Sequence, residues 1–172
     1  TTGNEARFGS ITSSDEHFFE WKSIFPEQYQ AFDPPLGKAK IRSQEKLIQG
    51  MLAPETLLDI VRNFTIYMNI GEQMVKVICR YQQYRAVGKI IQRMRRKTTA
   101  DQRSGTIWHT QGSGKSLTMV FLVRKLRRCE DLKDFKVMMV IDRIDLEEQL
   151  GKTAALTGET VQYIESSAAV KS

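Results

Sequence analysis

The string His109-Thr110-Gln111-Gly112-Ser113-Gly114-Lys115-Ser116 holds the residue types that grip a phosphate chain. It fits the pattern G-x-x-x-x-G-K-[ST] at every fixed position but the first, where His109 stands in place of glycine. Glycines let the main chain curl close to an anion, so that backbone N–H groups converge on its oxygens. A helix starting at the lysine aims its unsatisfied N–H groups and its dipole at the same charge. In this arrangement Lys115 holds the β- and γ-phosphates of a triphosphate, and the Ser116 hydroxyl joins the shell of an accompanying Mg²⁺. His109 reads as an anchor of the loop rather than a catalyst.

Two weaker signals flank the loop. Gln82 lies upstream in Cys79-Arg80-Tyr81-Gln82-Gln83-Tyr84, and a glutamine amide can donate to and accept from the N6/N7 edge of adenine. Downstream, Asp142-Arg143-Ile144-Asp145-Leu146 admits two readings. Either Asp142 is a magnesium-holding aspartate at a strand end, or Arg143 contacts a nucleic-acid backbone. Glu20-Trp21-Lys22 has the E-x-K form of some nuclease metal sites; the preferred reading is surface charges around a buried Trp21.

A phosphate loop needs a strand before it and a helix after it. Thr106–Trp108 is the expected strand, and Lys115–Arg128 is the expected helix, with Leu117, Val120, Phe121 and Leu126 inward. Phe135–Ile141 is a nearly continuous apolar run of the kind buried on both faces in a parallel sheet, which completes a βαβ unit with a right-handed crossover. Asp142–Leu150 continues as a helix or helical turn, and Val161–Ile164 is a last strand candidate. Upstream, Tyr84–Lys97 is an amphipathic helix with Val87, Ile90, Ile91 and Met94 on its buried side, followed by a loop at Thr98–Ser104. Two β-prone runs, Phe64–Met68 and Met74–Ile78, precede it. Ser43–Asn63 is helical, with Leu47, Ile48 and Met51 as one stripe and Pro54 opening a second helix that carries Leu57, Leu58, Ile60 and Val61. Before the Pro34-Pro35-Leu36-Gly37 break, an aromatic-rich piece (Phe8, Phe18, Phe19, Trp21, Phe25) is too short for a core of its own and reads as the tail of a larger domain.

The 172 residues suit one ordinary domain or parts of two. No apolar run exceeds five residues, Val137–Ile141 among them, which is far too short to cross a membrane. Cys79 and Cys129 have no second ligand at metal spacing, which fits a reducing compartment. Charge is unevenly spread: residues 1–60 carry six Lys/Arg against nine Asp/Glu, whereas residues 61–172 carry twenty against eleven. That imbalance, with no acid among residues 80–97, points to a polyanionic partner for the second part.

Five stretches together resemble the restriction (motor and endonuclease) subunit of type I restriction–modification enzymes, a superfamily 2 helicase-like family. They are Asn4–Ser10, His17–Lys22, Ile78–Val87 (ICRYQQYRAV), Ile107–Val120 (IWHTQGSGKSLTMV) and Asp142–Leu150. The resemblance implies an internal fragment of an α/β protein: residues 1–32 the tail of a PD-(D/E)xK-type nuclease domain, 33–75 a linker and helical connector, and 76–172 the start of the first RecA-like motor domain. It implies a type I site-specific deoxyribonuclease with ATP-dependent translocase activity, using ATP and Mg²⁺, acting on double-stranded DNA beside methylation and specificity subunits in a bacterial or archaeal cytoplasm. It assigns Gln82 and His109–Ser116 to ATP, with Lys115 and Ser116 catalytic, and Arg143 to DNA. It also removes Asp142 from magnesium binding, because the family's acidic D-E-x-H motif lies further on; that motif is not in this sequence. The 172 residues alone are therefore expected neither to hydrolyse ATP usefully nor to cut DNA. Two other readings remain: a small P-loop kinase or NTPase, and a truncated nucleotide- or DNA-binding module.

Overall fold

The computed structural model describes residues 5–25, 41–140, 147–160 and 162, with the backbone alone for 147–150. In chain order the elements are a 3₁₀ turn at Asp15–His17, α1 (Ser43–Lys46) running into a π-helical turn at Leu47–Met51, α2 (Pro54–Asn63), β1 (Thr65–Ile70), β2 (Gln73–Ile78), α3 (Tyr81–Arg96), α4 (Ala100–Arg103), α5 (Lys115–Arg127) and α6 (Glu147–Ala155).

β1 and β2 form an antiparallel hairpin in the register Thr65↔Ile78 to Ile70↔Gln73. They correspond to the two β-prone runs. The Thr98–Ser104 loop contains one helical turn, α4, because the Thr99 hydroxyl accepts from Gln102 N at its start (3.3 Å).

α3 and α5 pack against each other and share a core with every earlier segment. Phe64, at the end of α2, lies 4.8 Å from the Tyr84 ring of α3 and 5.6 Å from Phe121 of α5, centre to centre. Val87 and Ile91 of α3 and Val120 and Phe121 of α5 are buried, as their helical spacing requires. Full burial of such a side chain stabilises by about 1.5–3 kcal/mol, so this contact outweighs the helices' own propensities. The aromatic N-terminal piece docks here too. Phe8 and Phe19 bridge as extended backbone, Trp21 is fully buried, and Phe25 packs edge-on to Tyr84. Glu20 and Lys22 pair at 3.4 Å on either side of Trp21. Hydrogen bonding from Ser43, and then from Lys22, holds the Glu20 carboxyl below its usual range.

Several expected features differ. Thr106–Trp108 and the described part of Phe135–Ile141 belong to no strand ladder, and Trp108 and Val140 are largely exposed. A buried parallel strand needs a neighbour on each side to satisfy its N–H and C=O groups, and the described residues supply none for these two segments. The sheet among the described residues is thus the β1–β2 hairpin, and no βαβ ladder forms there. In α1–α2 the stripe is narrower than expected: Leu47, Met51 and Ile60 are buried, whereas Ile48, Leu57, Leu58 and Val61 face outward. The π-helical turn rotates the chain relative to a regular helix, and the inward face of α2 is set by Thr56, Ile60 and Asn63. Arg143, Asp142, the Pro34-Pro35 break and most of Val161–Ile164 lie outside the described residues.

Candidate phosphate-binding loop

The loop follows from its glycines. Gly112 has φ +73° and Gly114 φ +78°, the left-handed region that glycine enters without Cβ strain. Between them, Ser113 closes a turn: its N–H and hydroxyl both donate to Thr110 O, at 3.3 and 2.6 Å. Gly114 is the N-cap of α5 and contributes no side chain to the cap. The first turn of α5 carries no acid, so the positive end of the helix is left open to an external anion.

Lys115 is exposed and folds back over the loop, its Nζ donating to Thr110 O at 3.1 Å and His109 O at 3.3 Å. Two neutral carbonyls are weaker partners for an ammonium than a phosphate oxygen, so this lysine is poised for exchange. Ser116, half-buried in the same turn, makes no hydrogen bond through its hydroxyl among the described residues. A free hydroxyl beside a triphosphate suits a Mg²⁺ ligand. Among the described residues no group of three or more His, Cys, Asp or Glu is gathered for a metal. The His109 ring is half-buried, with Nδ1 shielded and unpartnered among the described residues; its carbonyl, not that nitrogen, is tied to the loop. Thr110 and Gln111 line the exposed rim.

The two glutamines of α3 part company. Gln82 is exposed at the helix start, free to meet a base. Gln83 is only 3% exposed and clasps the loop. Its Oε1 accepts from Arg80 N at 2.8 Å, and its Nε2 donates to Gly114 O at 3.0 Å. The same carbonyl accepts from Thr118 N and Thr118 Oγ1, at 3.1 and 3.2 Å. Sequence reasoning passed over Gln83, yet a signal existed: positions 83, 87, 91 and 94 form one stripe at helical spacing, and Val87 and Ile91 mark it as buried.

Away from the loop, α3 presents a basic face. Arg85, Lys89 and Arg96 are exposed and have no ion-pair or hydrogen-bond partner among the described residues. Arg93 instead donates to Gln102 O at 2.8 Å, and Arg95 makes a bidentate pair with Asp131 at 2.7 and 2.9 Å. Hydrogen bonding from Arg95 holds the Asp131 carboxyl below its usual range.

Among the described residues no helix is long and apolar enough to cross a membrane. A family model of SWI2/SNF2 ATPases matches residues 82–172, from the start of α3 through the loop to the end of the chain. The chain is 34% identical over 95% of its length to the type I restriction enzyme HindI endonuclease subunit of Haemophilus influenzae. It is 29% identical over 86% of its length to a putative type I restriction enzyme endonuclease subunit, MjaIXP, of Methanocaldococcus jannaschii. A Staphylococcus aureus type I endonuclease subunit is 27% identical over 87% of the chain. The chain spans 14–16% of the length of these relatives. No solved structure matches. A phosphate-loop geometry inside the matched span, with similarity to type I restriction endonuclease subunits along nearly the whole sequence, places the chain in the SWI2/SNF2 ATPase family.

Proposed function

We propose that these residues form the nucleotide-gripping start of the motor, with its connector to a nuclease domain, in a type I restriction endonuclease subunit. The observation that carries this is the pair of left-handed glycines delivering α5's open N-terminus and Lys115 to one spot. In the proposed site ATP lies with its β- and γ-phosphates on Gly112–Lys115 and its adenine toward Gln82. Ser116 would hold a Mg²⁺, which when bound would supply positive charge against the phosphate oxygens. The protein's own part is to orient the triphosphate and to surround it with fixed N–H dipoles. Thr106–Trp108 and the apolar run Phe135–Val140 supply strand sequences for the parallel RecA-like sheet of the complete motor domain. The full subunit acts on double-stranded DNA as an ATP-driven translocase and nuclease, beside methylation and specificity subunits in the cytoplasm.

DNA is met by Arg143 and by the exposed basic face of α3. Arg85, Lys89 and Arg96 fall at helical spacing along one side, over roughly 16 Å at 1.5 Å per residue. Counterion release makes such contacts salt-dependent, with a slope of about 0.9 per neutralised phosphate. Replacing all three by Gln in the full-length subunit lowers that slope by about 2.7. An unchanged slope removes α3 from the DNA surface. The nucleotide reading is tested by Lys115→Ala, which abolishes ATP-dependent translocation; translocation that persists refutes the role given to Lys115.

A further inference from the structure

We infer that Asp59 on the connector helix α2 is a positioning residue for the nucleotide site, holding both arms of that site through one carboxylate. The inference rests on the nucleotide reading above.

Asp59 gathers donors from three elements. Its Oδ1 accepts from Lys125 Nζ of α5 at 2.5 Å and from Asn63 Nδ2 of α2 at 2.5 Å, and its Oδ2 accepts from the Tyr84 hydroxyl of α3 at 3.2 Å. The Asp59 and Lys125 side chains are only 18% and 27% exposed, so this ion pair is less screened than a surface pair. A second cation of the same end of α5 reinforces it: Arg128 donates to Asn63 Oδ1 at 3.0 Å and to the Arg62 carbonyl, capping the C-terminus of α2.

Each partner leads to the loop. Lys125 lies on the helix whose opposite end is the phosphate-gripping turn, and a 13-residue helix is a stiff rod of roughly 20 Å. Tyr84 is the neighbour of Gln83, whose amide holds the Gly114 carbonyl. Asp59 therefore fixes α5 from behind and α3 from the side, and the angle between them sets where Gly112–Ser116 sits. Removing the carboxylate leaves the Lys125 ammonium partly buried without its counter-charge, and α5 shifts to rehydrate it. The connector thereby becomes part of the motor's binding site, and anything that moves α2 alters the grip on nucleotide.

The test uses the full-length subunit, with a non-hydrolysable ATP analogue titrated by calorimetry and the result expressed per folded molecule. Asp59→Asn weakens analogue binding by about three- to ten-fold, and raises KM for ATP more than it lowers kcat. Lys125→Met weakens binding in the same direction, and the double variant is no worse than Asp59→Asn alone, because Lys125 acts through that carboxylate. Asp131→Asn, which breaks the exposed Arg95 pair, leaves binding within two-fold. If Asp59→Asn folds poorly, Lys125→Met decides. Unchanged affinity per folded molecule, with only a lower Tm, overturns the inference and leaves Asp59 a plain structural contact. Additive effects in the double variant also overturn it. Wild-type protein that does not bind the analogue sinks the nucleotide reading itself, a different failure.

Discussion

Gly114→Ala in the full-length subunit isolates the physical basis of the site. Gly114 sits at φ +78°, where a Cβ costs about 1–2 kcal/mol. That Cβ would also lie 2.6 Å from Gln83 Nε2. The amide is the end of a flexible side chain, but Gln83 is buried and tied to Arg80 N, so it yields only by giving up its bond to Gly114 O, worth about 0.5–1.5 kcal/mol. Nucleotide binding to the gripping conformation must supply the total, which predicts affinity lower by about ten- to three-hundred-fold at 1.4 kcal/mol per decade. Calorimetric titration with a non-hydrolysable ATP analogue measures it. Adding Gln83→Ala relieves the collision and leaves the φ cost, so the double variant binds more tightly than additivity predicts. Gly71→Ala is the control. It stands at φ +61° with nothing within 4 Å, so it strains the hairpin equally but leaves nucleotide affinity unchanged. Binding by Gly114→Ala within two-fold of wild type would show that neither the left-handed turn nor the Gln83 clasp matters, and the reasoning fails.

Three further predictions concern the fold and the isolated chain. Burial, then the charge of Asp59, pushes the Cys79 thiol and the Tyr84 hydroxyl above their usual 9.0 and 10.0. Both stay protonated in the folded state while the unfolded chain loses protons, so their stabilisation is complete below about pH 9 and is lost as pH rises toward the folded values. Denaturant melts between pH 8 and 11 should fall by up to about 1.4 kcal/mol per unit per group, and Tyr84→Phe should flatten the curve; an unaltered slope contradicts it. Gly88→Ala would drive a methyl into the Phe25 ring. Helix propensity favours Ala by about 1 kcal/mol, and overpacking costs about 1–3, so the net sign is destabilising; a raised Tm says that the N-terminal piece does not dock there. Finally, the 172-residue chain assayed alone should show neither ATP hydrolysis above background nor DNA cleavage, and ATP-dependent cutting by it defeats that expectation.

The phosphate loop was legible because its chemistry is local. Two glycines within eight residues set a left-handed turn, and α5 begins at Lys115 as the pattern requires. The inward faces of α3 and α5 were legible for the same reason, since 3.6-residue periodicity is written in consecutive positions. Parallel strands are another matter. Thr106–Trp108 and Phe135–Ile141 have strand composition, but a strand exists only with a partner to hydrogen-bond, and composition cannot supply one. Gln83 and Asp59 were silent for a related reason: one glutamine among two, and one aspartate on α2, find their partners only when residues 31 and 66 positions away are brought against them. Sequence by itself decided the loop and the helix faces, through steric and periodic rules acting between near neighbours. Tertiary packing decided which amide contacts that loop and which carboxylate pairs with α5, because burial and hydrogen-bond partnership are properties of distant segments meeting.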